Sequence, residues 1–153
     1  GLAERMPKLI CVQAKNCGPI ASAFLRNAAR VEPCADPKPT LASGINDSLM
    51  GYAGDGDYTL DCIRRSGGTA VLLDEEEIRQ SVFRLAEEGV YAEPAGAVSA
   101  AAMARLAESG FLRKSDTVVG VVTGHGLKNP LAREAKIPAV ASAAELARIL
   151  GEG

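Results

Sequence analysis

An α/β fold, with a parallel sheet flanked by helices in three layers, is predicted by three observations. Short apolar runs alternate with amphipathic stretches of helical period, and the connections between them are short. Residues 117–123 (TVVGVVT) hold four valines in an almost unbroken apolar run. Such a run is the pattern of an internal parallel strand, covered on both faces.

The elements follow in order. Residues 9–14 (LICVQA) read as a buried strand because they are short, apolar and partly β-branched. Cys17-Gly18-Pro19 punctuates that strand, and a helix starts with Pro19 in its first turn, where the missing amide has no partner to lose. Pro33, Pro37 and Pro39 make residues 31–39 a surface loop. Leu41, Ile45 and Leu49 recur with helical spacing, but Gly44 counts against a helix, so residues 40–50 stay open between the two. Residues 51–57 hold three glycines and two aspartates and read as a turn. Residues 58–65 form a short helix, stopped by Ser66-Gly67-Gly68.

The second half is plainer. Residues 69–73 are a strand, and Asp74 with Glu77 three positions later forms a reciprocal cap for the helix that follows. Ile78, Val82 and Leu85 share one face of that helix, with Glu76, Arg79 and Arg84 on the wet side, and Gly89 ends it. Residues 90–92 are a further short strand, and an alanine-rich helix then runs to Ser109 with Val98, Ala102 and Leu106 facing inward. Strand, helix, strand, helix, strand with short links calls for right-handed crossovers and helices on both faces. Residues 1–153 read as a single domain, in which residues 131–153 are a tail whose terminal helix, residues 143–150, packs on the outside.

Composition narrows the function. A domain of about 150 residues buries roughly 68–70% of its unfolded surface, and 47% hydrophobic residues with six aromatics and no Trp make its core aliphatic. Seventeen basic and nineteen acidic residues give a net charge of −2 without a basic stripe, which argues against nucleic acid. The apolar runs fall short of the roughly 20 residues of a membrane span, and Gly1-Leu2-Ala3-Glu4-Arg5 is no signal peptide. Cys11, Cys17, Cys34 and Cys62 lack C-x-x-C spacing, and His125 is the one histidine, so no zinc site is expected. The cysteines read as reduced, packed thiols of a cytoplasmic protein. Asp74-Glu75-Glu76-Glu77 is a helix cap and first turn rather than a metal site, and Asp55, Asp57 and Asp61 follow no calcium-loop pattern.

Ligands of open α/β sheets bind beyond the carboxyl ends of the strands. Three loops qualify: residues 93–97 (EPAGA), residues 123–130 (TGHGLKNP) and, less securely, residues 40–45 (TLASGI). In the second, Gly124 and Gly126 permit a sharp turn and close approach to a ligand, while Thr123 offers a hydroxyl at the sheet edge. No Walker pattern is present. His125 and Lys128 suggest a general base and a Schiff-base lysine, but in a glycine turn both read more readily as surface residues. Glu93 follows an apolar strand where a charge is partly desolvated; the alternative is that it complements the helix dipole. Gly44 serves either packing or ligand contact.

Together the three loops resemble the threonine synthases and serine/threonine dehydratases, pyridoxal-phosphate enzymes of fold type II. Residues 123–130 are similar to the T-G-x-G-L-K-D-P segment of threonine synthases, with Asn129 in place of Asp. Residues 93–97 resemble E-P-(A/S)-(G/S)-A, and residues 40–45 resemble T-(I/L)-A-x-G-(I/V). The likeness covers residues 8 to 130 and corresponds to part of the large domain. It implies pyridoxal 5'-phosphate as cofactor, with Thr123 hydrogen-bonded to the pyridine nitrogen, Glu93 near the ring, and Gly44 and Gly124 passing close to it. A hydroxyl carries no charge to hold a proton on that nitrogen, which favours elimination and replacement over transamination.

The resemblance also implies that the Schiff-base lysine, the substrate loop and the glycine-rich phosphate loop precede this chain, which has no counterpart for them. The expectation is therefore a C-terminal portion of a lyase most like threonine synthase, inactive alone and completed by an N-terminal remainder. An amino-acid substrate, a homodimer and no metal are expected with it. Ser43 stands where dehydratases carry Asp, which puts a dehydratase-style cation site in doubt; a serine/threonine dehydratase-type enzyme is the alternative within the class, and a non-catalytic assembly or regulatory domain is the reading from another class.

Overall fold

The computed structural model describes residues 6–131 and 140–151. Two parallel strands, β1 (Ile10–Ala14) and β2 (Thr69–Leu73), pair in register from Ile10 opposite Thr69 to Ala14 opposite Leu73. Between them run α1 (Pro19–Leu25), a 3-10 turn (Ser43–Ile45) and α2 (Ala53–Arg65). After β2 come α3 (Glu75–Glu87), α4 (Pro94–Glu108), a second 3-10 turn (Gly126–Lys128) and α5 (Ala143–Leu150).

Alternation along the strands sets the layers, because successive side chains point to opposite faces. Ile10, Val12, Ala14, Val71 and Leu73 pack with Ile78 of α3 and Val98, Ala102 and Leu106 of α4. On the opposite face Gln13 Oε1 accepts from the Ala21 amide of α1 at 2.9 Å. There α1 and α2 close a second cluster of Ala23, Val31, Leu49 and Leu60. The order helix pair, sheet, helix pair gives the three layers, and the predicted α/β class is the observed one.

Several elements form for the reasons their residues supply. Asp74 and Glu77 make the reciprocal cap of α3, with Glu77 N–H donating to Asp74 Oδ1 at 2.9 Å and Asp74 N–H to Glu77 Oε2 at 2.8 Å. Pro19 and Pro94 occupy the first turns of α1 and α4, where a missing amide costs no hydrogen bond. The predicted inward faces of α3 and α4 hold, with Ile78, Val82, Val98, Ala102 and Leu106 all buried.

The differences are informative. Helix α2 begins at Ala53, so it takes in most of the glycine-rich stretch that reads as a turn. Gly56 is buried there against Leu49 and Val31, and Asp57 accepts the Val31 amide at 2.6 Å, so tertiary contacts override propensity. Residues 40–50 carry one 3-10 turn rather than a helix. Residues 90–92 reduce to an isolated bridge between Ala92 and His125.

The largest departure is at residues 117–123, which pair with no strand among the described residues and are exposed rather than internal. Val119 is 83% and Val121 67% exposed. The segment touches the body of the fold along α4, where Ser99 Oγ donates to Val121 O at 3.3 Å and Gly120 lies against Met103. Its composition suits cover on both faces, and the described residues supply it on one. The tail helix α5 spans the predicted residues, and none of its residues is buried, with Leu146, Ile149 and Leu150 44%, 46% and 65% exposed. No helix among the described residues is long and apolar enough to cross a membrane.

The junction into β2 is the tightest point of the sheet. A Cβ on Gly68 would stand 1.8 Å from the Leu9 carbonyl oxygen, a backbone atom held by the Thr69 amide at 3.2 Å. Gly68→Ala should therefore cost about 2 kcal/mol through overpacking. Gly54→Ala, in α2 with open space around the new methyl, should gain about 0.5 kcal/mol by narrowing the unfolded ensemble. Urea midpoints of the two variants check both signs.

Candidate functional site

The amino end of α4 organises the site. Glu93 is its N-cap in extended conformation, and its carbonyl accepts from the Gly96 and Ala97 amides at 2.9 and 3.0 Å. The loop after residues 117–123 is laced to this turn by its backbone. Glu93 N–H donates to Gly124 O at 2.9 Å, and Gly126 N–H to Tyr91 O at 2.8 Å. A Cβ on Gly96 would lie 3.0 Å from the amide nitrogens of Thr123 and Gly124, which measures how closely the two chains cross.

A side chain at 124 would have to displace Glu93. A Cβ there would meet Glu93 Oε1 at 2.0 Å and Cδ at 2.2 Å. The Glu93 side chain lies under this turn, 11% exposed, and forms an ion pair with Lys128, Nζ to Oε2 at 3.2 Å. Lys128 itself is 73% exposed, so one partner is desolvated while the other stays in water. The Glu93 side chain makes no hydrogen bond to the first turn of α4. Its position beside the helix start still suits a negative charge, but its direct partner is the lysine.

The third loop arrives from the sheet. Just past the strand ends, Glu75 accepts the Leu41 amide at 2.7 Å and an Asn16 amide proton at 3.2 Å. This fixes residues 40–45 at the carboxyl edge of β1 and β2, the ligand-binding edge of such sheets. Gly44 is exposed, and a Cβ there would lie 3.0 Å from Ala95 Cβ, so the 3-10 turn rests on the start of α4. Asn129 Nδ2 donates to Leu41 O at 3.4 Å, joining the first and last loops.

The four residues singled out in the sequence thus surround one turn of helix. Glu93 caps it, Gly124 and Thr123 cross it, and Gly44 abuts it. Thr123 is exposed rather than facing packed hydrocarbon. His125 is occupied locally: its Nδ1 accepts the Leu127 amide at 3.1 Å and its ring stands edge-on to Tyr91 at 5.6 Å. Lys128 reads from sequence as a solvated turn residue, and its pairing with Glu93 leaves no local trace because the two are far apart along the chain. Glu75 reads as part of a cap, and its clamp on Leu41 likewise has no local signal.

These residues fit one edge of a flat heteroaromatic ring. The hydroxyl of Thr123 is available at the surface, beside the turn at Gly124 and on the same side of α4's start as the exposed Gly44. The buried carboxylate of Glu93 is already balanced by Lys128.

The fold is that of part of an open α/β domain, with the candidate loops gathered at the carboxyl ends of the strands. The chain belongs to the pyridoxal-phosphate-dependent enzyme family, whose pattern matches residues 1–124. It is 36% identical over 131 residues to the threonine synthases of Methanocaldococcus jannaschii and Methanosarcina acetivorans, covering 85% of this chain and 31% of each relative. Similarity to the threonine synthase of Mycobacterium leprae is 30% over 131 residues, 85% of this chain and 33% of that one. The chain therefore spans about a third of the length of these relatives. A crystal structure of a threonine deaminase superposes with a TM-score of 0.51 at 20% identity, over 67% of this chain and 34% of that one, and supports the fold.

The contact between Gly124 and Glu93 gives a direct test of the geometry. Gly124→Ala should destabilise the chain by about 2 kcal/mol because the new methyl overlaps the carboxylate. In Glu93→Ala the overlapping atoms are gone, so the double variant should recover at least about 1 kcal/mol of that loss. A double-mutant cycle by urea denaturation measures the coupling; strict additivity would remove the close approach.

Proposed function

We propose that this chain is the C-terminal part of a cytoplasmic pyridoxal-phosphate-dependent lyase most like threonine synthase, converting O-phosphohomoserine to threonine when complete. The observation that carries the reading is the convergence of Thr123, Gly124, Glu93 and Gly44 on the first turn of α4. The identity to threonine synthases over 85% of the chain points to that reaction.

When bound, the cofactor supplies an electron sink for bond breaking beside the amino group. The residues here hold and orient one of its edges. Thr123 donates a hydrogen bond to the ring nitrogen without supplying a charge to keep a proton there. Gly124 and Gly44 allow the ring to lie against the backbone, and Glu93, held by Lys128, fixes the loop that presents Thr123.

The share of about a third of each relative supports an N-terminal remainder that contributes the reactive lysine and the groups selecting the substrate. The exposed valines of residues 117–123 support further strands at that edge. In this reading the isolated chain is inactive and the complete enzyme is a homodimer.

Two measurements test the proposal. The complete enzyme should form threonine and release phosphate from O-phosphohomoserine, and the isolated chain should do neither. In the complete enzyme, Thr123→Asp should raise the proportion of turnovers ending in transamination by about tenfold or more, since one pKa unit on the ring nitrogen corresponds to about 1.4 kcal/mol. An unchanged ratio of keto acid to threonine would remove Thr123 from the ring nitrogen.

A further inference from the structure

Away from this site, two cysteines that the catalytic reading does not use lie together. The Cys34 thiol is a neighbour of the Cys17 thiol, and both residues belong to segments anchored independently of that contact. Cys17 follows β1 and donates its amide to Ala14 O at 3.1 Å, while Cys34 donates its amide to Ser48 O at 2.9 Å. The segments are also tied to each other: Lys38 N–H reaches Asn16 O at 3.1 Å, and Asn16 Nδ2 reaches Pro39 O at 2.6 Å. Gly18, Pro19 and Cys34 line one open cavity of about 390 Å³.

We propose that Cys17 and Cys34 form a reversible disulfide, a redox modification site joining the start of α1 to the loop of residues 31–39. The two thiols differ in access. Cys17 is 1% exposed and Cys34 is half-buried beside the cavity, so a small oxidant meets Cys34 first. Burial first, then the neighbouring Cys34 thiol and the Asp47 carboxylate, push the Cys17 thiol up to about 11. At Cys11, also pushed up to about 11, burial alone is the cause.

With hydrogen peroxide as oxidant the chemistry balances in two steps. Cys34 thiolate attacks one peroxide oxygen, the O–O bond breaks, and the departing hydroxide takes a proton to become water, leaving a sulfenic acid on Cys34. The Cys17 sulfur then attacks that sulfur. The S–S bond forms as the S–O bond breaks, and the hydroxide leaves with the Cys17 proton as a second water. Two thiols are oxidised by two electrons and the peroxide is reduced to two waters; a dithiol reductant reverses the bond. The link would restrain the chain immediately ahead of Leu41, whose amide Glu75 clamps at the ligand edge.

The test is peptide mapping without reduction. The full chain is treated with hydrogen peroxide, denatured, and its remaining thiols are blocked with iodoacetamide. The expected product is a Cys17–Cys34-linked peptide pair, two hydrogens lighter than the separate peptides and lost on dithiothreitol treatment, with Cys11 and Cys62 alkylated. In Cys17→Ser, Cys34 should instead advance to the sulfinic acid. The proposal is overturned if wild-type Cys34 becomes sulfinic acid while Cys17 is alkylated. A bond from either residue to Cys11, Cys62 or a second copy of the chain overturns it too, as does recovery of both thiols unmodified.

Discussion

The arrangement depends on a single crossing, where the turn at Gly124 passes over the cap of α4. One backbone hydrogen bond, Glu93 to Gly124, sets the distance, and the Glu93 carboxylate fills the space beneath the turn. Because the carboxylate is nearly buried and its partner Lys128 is mostly in water, the pair works chiefly as a locator. A half-solvated ion pair adds little to stability, but removing the lysine would strand a buried charge. The cap, the turn and the lysine therefore stand or fall together.

The sheet contributes by holding the other side of the site at a fixed distance. Glu75 lies in the first turn of α3, and the cap made by Asp74 and Glu77 sets the direction in which that turn leaves the strand. From there the Glu75 carboxylate reaches back to Leu41 and Asn16. A local sequence pattern, the reciprocal cap, is thereby converted into a long-range restraint on the loop carrying Gly44.

What the sequence makes legible is whatever short-range chemistry decides. Pro19 and Pro94 announce helix starts, Asp74 with Glu77 announces a capped helix, and the inward faces of α3 and α4 follow from period alone. The site loops are found by resemblance and by their place after apolar runs, and they do meet in space. What escapes needs partners far along the chain. Gly56 sits in a helix because Leu49 and Val31 close around it, and Lys128 finds Glu93 because backbone hydrogen bonds bring their turns together. Residues 117–123 differ from expectation for another reason: an apolar pattern records the surroundings a segment is suited to, and the described residues cover it on one side only.

That last segment carries a liability as well as a clue. Residues 117–123 contain one glycine and no proline, lysine or other charge, so none of the usual gatekeepers stands along their open backbone. A polypeptide carrying such an unguarded ribbon has a ceiling on how concentrated it can become before ribbons from separate molecules zip together. The same exposed valines therefore bear on the solubility of the chain that carries them.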